Sequence, residues 1–80
     1  GFRGMTIDDL KRDLSDRLGR RVEAVLTREG ESAQEMTDLY QPSPAGFAGR
    51  LICRDGTRLA WELWMEDEDN WNFQSTLLSD

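Results

Sequence analysis

Apolar positions recur at spacings of three and four near the start of the chain and at spacings of two through its second half. The pattern therefore predicts one helix followed by strands. Ile7, Leu10, Leu14 and Leu18 form a narrow apolar seam. Thr6 precedes it as a helix cap, and Asp9, three residues on, completes an Asp version of the capping box. Met5 and Leu10 stand where a hydrophobic staple would close the first turn. Asp8 and Asp9 suit the positive helix end, and Asp8–Arg12 and Asp13–Arg17 are favourable pairs one turn apart. Gly19 supplies the stop.

The strand pattern centres on residues 47–65, FAGRLICRDGTRLAWELWM, two apolar runs joined by Asp55-Gly56. A two-residue loop at that dipeptide sets Ile52 against Leu59, Leu51 against Ala60, Arg50 against Trp61 and Phe47 against Trp64. One side of the hairpin would then carry Ala48, Ile52, Leu59, Trp61, Leu63 and Met65. The other would carry Phe47, Leu51, Ala60 and Trp64 among Cys53, Arg58 and Glu62. Both sides are apolar. A lone hairpin is marginal in water, so each side needs a cover.

Residues 20–29 read as a strand, because Val22, Ala24 and Leu26 alternate and Gly19 would cost a continuing helix ~1 kcal/mol. Ser32 and Glu35 repeat the capping-box spacing, which predicts a short helix lined by Ala33, Met36, Leu39 and Tyr40 and ended by Pro42. Residues 41–46, QPSPAG, read as a stiff loop. Glu66 to Asn70 form a charged turn, and residues 71–78 a further strand returning beside the second hairpin strand. The expected fold class is α+β: an N-terminal helix packed on a small antiparallel sheet of three to four strands containing the 47–65 hairpin. Eighty residues make one small domain. MTIDDL reads like a natural start at Met5, so residues 1–4 are expected to be an expression remnant and residues 5–80 the domain.

Charge changes the picture of partners. The net charge is −6, divided as +2 over residues 1–28 and −8 over residues 29–80. A net acidic chain is repelled by phosphate backbones and anionic membranes, which makes nucleic acid an unlikely partner and a basic protein surface a better one. The basic N-terminal part and the acidic remainder could also meet in a homodimer. No apolar run approaches the ~20 residues of a membrane span. A single cysteine excludes an internal disulfide and fits a reducing cytoplasm.

Candidate chemistry is sparse. Histidine is absent, which removes His-dependent triads and zinc sites. Cys53 has two arginines near it in sequence but no base, and reads as a packing residue. The run Glu66-Asp67-Glu68-Asp69 lacks the glycine and distant glutamate of a calcium loop. Glu62 reads as a strand residue paired with Arg58 or Arg50, and Arg50 opposite Trp61 suggests a cation–π contact. The arginines of residues 12–28 are interleaved with acids, as on a salt-bridged surface. No catalytic residue, metal or cofactor is expected.

One helix can cover one side of the sheet. The other would leave Phe47, Leu51 and Trp64 exposed beside Glu62, with Glu66, Asp67, Glu68 and Asp69 as a charged rim. An aromatic centre with a polar rim is the usual anatomy of a protein interface. The expectation is a small acidic protein-binding module, working as an inhibitor, adaptor or assembly factor without catalysis. The alternative is a nucleic-acid-related role, either as a phosphate mimic blocking a DNA-binding protein or as a weak binder through the N-terminal arginines.

Overall fold

The computed structural model describes residues 4–79. Apart from Gly4, the remnant expected at residues 1–4 lies outside them. Helix α1 runs Ile7–Leu18, followed by strands β1 (Val22–Leu26), β2 (Tyr40–Ser43), β3 (Gly46–Cys53), β4 (Arg58–Asp67) and β5 (Asn70–Ser79), with a 3-10 turn at Met36–Asp38 before β2. All pairings are antiparallel, and β3 is central: β4 lies on one side of it, and β1 and β2 follow each other along its other side. β5 closes the far edge against β4. The architecture is α+β, with five strands where three to four were expected.

The helix forms as its caps dictate. Thr6 Oγ1 accepts from the Asp9 N–H at 3.1 Å while the Asp9 carboxylate accepts from the Thr6 N–H at 3.1 Å. Gly19 ends the helix in the left-handed region, at φ 65°. Arg17 bonds Asp13 at 2.9 Å, whereas Arg12 turns to Asp9 rather than Asp8. Leu10 and Leu14 are fully buried, and Ser15 ties the helix to β1 by accepting from the Val22 N–H at 3.0 Å.

The hairpin turns where expected but with a different register. Cys53 faces Thr57, its N–H donating to the Thr57 carbonyl at 2.8 Å, so the loop has three residues, Arg54, Asp55 and Gly56. Gly56 alone among them has a positive φ, of 93°. A two-residue type I′ loop would need Asp55 left-handed too; a three-residue loop needs only its last residue so. The pairing is therefore Leu51 with Leu59, Gly49 with Trp61 and Phe47 with Leu63. One residue of slip moves every side chain of one strand to the other face.

This overturns the expected sorting of the hairpin. Phe47, Leu51, Cys53, Leu59, Trp61 and Leu63 all lie on the helix side, and all are buried. The outer side carries Ala48, Arg50, Ile52, Arg58, Ala60, Glu62 and Trp64. Arg50 accordingly makes no cation–π contact with Trp61. The Trp61 indole instead donates to the Arg50 carbonyl at 2.9 Å, and a cation–π pair among the described residues is Arg28 over Tyr40, at 4.0 Å.

β1 is a strand, but a bulge between Val22 and Ala24 breaks its alternation, so Val22 and Val25 both reach the core. The short helix expected after Ser32 is only the Met36–Asp38 turn, capped by Asp38, whose Oδ2 accepts from the N–H groups of Gln34 and Glu35. Part of the expected stiff loop is strand β2, with Pro42 on a strand that pairs with β3 alone among the described strands. Ala33, Met36 and Leu39 join the helix-side core. The 32–40 segment thus does not cover the outer face.

Candidate functional site

The eight residues expected to form a docking surface divide in two. Phe47 (7% exposed) and Leu51 (0%) lie in the core under the helix and belong to no surface. Glu62 and Trp64 share the outer face of β4, and Glu66, Asp67, Glu68 and Asp69 lie exposed where β4 turns into β5. Those six remain contiguous. The signal that separates the two groups is present in the sequence: Phe47, Leu51, Cys53, Leu59, Trp61 and Leu63 are all odd-numbered. Bringing them to one side requires a loop with an odd number of residues.

The outer face reads off the register in rows. Trp64 stands between Gly46 and Asn72, Glu62 between Ala48 and Gln74, and Ala60 between Arg50 and Thr76. Tyr40 pairs with Ala48 and extends the second row. Glu62 therefore faces Ala48 and Gln74, not the arginines expected as its partners. The carboxylates gather at the Trp64 end, and Arg50 and Arg58 lie toward the other. Gly46 packs closely there, since a Cβ on it would sit 3.0 Å from Trp64 Cβ. Beside Trp64, the Asn72 Nδ2 is buried without a hydrogen-bond partner among the described residues. A shallow hollow of about 280 Å³ is lined by Leu26, Arg50, Ile52, Arg58 and Leu78 at the opposite end.

The acidic turn is built by its own hydrogen bonds. Asp67 Oδ1 accepts from the N–H groups of Asp69 (2.9 Å) and Asn70 (3.1 Å), and Oδ2 from the Asn70 side chain at 2.7 Å. These donors, the Asn70 side chain foremost, hold the Asp67 carboxyl below its usual range. Asp67 is thus ionised and oriented, with Glu66, Glu68 and Asp69 exposed around it.

Other candidate chemistry is structural. Cys53 is buried, and burial first, then the nearby Asp55 charge, pushes its thiol up, against the opposing effect of Arg20. A raised thiol is a poor nucleophile. Arg20 bonds the Thr57 hydroxyl at 3.0 Å and lies 3.8 Å from Asp55, which secures the hairpin loop to the end of α1. Among the described residues no three Cys, Asp or Glu side chains gather as metal ligands, and no helix is long and apolar enough to cross a membrane.

Comparison of the chain with protein-family models, with characterised proteins and with solved structures finds no match.

Proposed function

We propose that the chain is a protein-binding module without catalysis of its own. It docks a basic protein surface on the Trp64 corner of the outer sheet face. The observation that carries this reading is the position of Trp64, on the face away from the helix, with Glu62 beside it and Glu66–Asp69 at its margin. A half-buried tryptophan supplies apolar contact area, and the carboxylates select a partner bearing Lys or Arg. Because the acids are concentrated at one end of the face, the partner is also oriented. A protein that binds nucleic acid is one such partner, and this chain would then occupy its phosphate-binding surface. Direct binding of nucleic acid has less support, since Arg17 and Arg20 are engaged by Asp13, Thr57 and Asp55.

The test is an NMR titration of the isotopically labelled chain with a synthetic lysine–leucine peptide and, separately, a single-stranded oligonucleotide. The peptide is expected to shift the Trp64 indole N–H and the amides of residues 66–69, with the effect weakened by salt and lost in Trp64→Ala. Shifts confined to other residues, or a response to the oligonucleotide in place of the peptide, would overturn the reading.

A further inference from the structure

The sheet has two edges, and they are treated differently. Along the β1/β2 edge the backbone is occupied or interrupted: the Ala33 N–H donates to the Val25 carbonyl at 3.0 Å, and Pro42 stands in β2. The other edge is β5, whose residues from Asn72 to Ser79 pair with β4 alone among the strands described. From Asn70 to Ser79 it holds no charged residue and no proline. Charges and prolines are the usual means by which an edge strand is kept from adding another strand. Leu77 and Leu78, on this same strand, are 59% and 49% exposed.

We infer that β5 pairs antiparallel with β5 of a second copy about a two-fold axis near Ser75, joining two sheets into one. This goes beyond the docking reading and uses a different surface. An axis perpendicular to the sheet preserves faces, so both helices lie on the same side and a residue at the axis faces itself. With Ser75 there, Phe73 of each copy opposes Leu77 of the other on the helix side, and the most exposed leucine gains an aromatic cross-strand neighbour. Charge points to the same partner. The acidic turn at Asp67–Asp69 lies at one end of β5, and Arg58, paired with Ser79, and Arg54 lie at the other. An antiparallel dimer brings the acidic end of each copy to the arginine end of its mate, whereas a parallel arrangement would stack like charges.

The test is sedimentation of the full chain from micromolar to millimolar concentration, together with symmetric cross-linking. The wild type is expected to show a dimer of twice the 9.2 kDa chain mass, weakened by salt. Leu77→Lys, at an exposed position, is expected to raise the dimer Kd about tenfold or more with an unchanged circular-dichroism spectrum. Ser75→Cys is expected to cross-link to itself on oxidation, because opposed residues of an antiparallel pair lie within disulfide range and buried Cys53 does not compete. A wild type that stays monomeric throughout would overturn the inference. So would a dimer that survives Leu77→Lys, or one that fails to cross-link through Ser75→Cys.

Discussion

Gly49 and Trp61 face each other across β3 and β4, and the indole lies against the glycine with its N–H bonded to the Arg50 carbonyl. A Cβ on Gly49 would come within 2.5 Å of the Leu26 carbonyl oxygen and 3.3 Å of Trp61 Cζ2. The glycine lets β1 approach β3 and lets the largest core side chain lie flat. Gly49→Ala is therefore expected to destabilise the fold by ~1–3 kcal/mol, as overpacking does. Chemical denaturation measures this, and an unchanged midpoint would show that Leu26 is not held there.

Leu51 and Trp64 were expected to share a surface, and the register places them on opposite faces. Leu51→Ala should cost ~2–5 kcal/mol, because a fully buried leucine leaves a cavity. Trp64→Ala should cost roughly 1 kcal/mol, in the range for sites outside the core. Equal losses in thermal unfolding would place both residues in one core.

The Asn72 amide beside Trp64 is a buried donor without an acceptor among the described residues, which carries a desolvation cost of ~1–3 kcal/mol. Asn72→Val keeps a strand-compatible side chain and leaves no polar group there. The expected result is a gain of about 1 kcal/mol, which is ~4–8 °C in Tm for a domain of this size. A loss of stability would mean that the amide is satisfied in solution.

Acid should unfold the protein through its oriented aspartates. Backbone N–H groups of Thr6, Gln34 and Thr57 are the main cause of the lowered pKa at Asp9, Asp38 and Asp55, and the Asn70 side chain at Asp67. A pKa lower in the folded state than in the unfolded chain gives stability that is fully present above the unfolded value, ~3.9 for Asp, and lost as pH falls through the folded value. Self-repulsion of the −6 chain declines between pH 7 and its pI of about 4.5, and this opposes any early loss. Tm is expected to hold or rise down to that region and then fall. The fall should be shallower in Asp67→Asn. A decline beginning near neutrality would contradict this assignment.

Much of the fold is legible in the residues themselves. The Thr6–Asp9 box, the seam through Leu10 and Leu14, and Gly19 define the helix with local chemistry alone. Asp55-Gly56 marks the turn, but the dipeptide serves two- and three-residue loops alike, and what distinguishes them in the sequence is the odd-numbered spacing of the apolar residues from Phe47 to Leu63. That single residue of slip buried Phe47 and Leu51 and left Trp64 outside. β2 is not legible in the sequence, because prolines at positions 42 and 44 usually signal a loop, and its pairing depends on β3 rather than on its own pattern. The β1 bulge is likewise set by what the strand packs against. The acidic rim was legible because exposed charge needs no tertiary partner to stay where it is.

The helix lies over the face that carries Leu51, Trp61 and Leu63, and no described element lies over the face that carries Trp64. Fluorine NMR of the chain carrying 5-fluorotryptophan at positions 61, 64 and 71, assigned by single Trp→Phe substitutions, tests this arrangement with a dissolved paramagnetic probe. Strong broadening of the residue 64 resonance with an unaffected resonance at 61 is the predicted result. A resonance at 64 as protected as that at 61, or a broadened one at 61, would contradict the account.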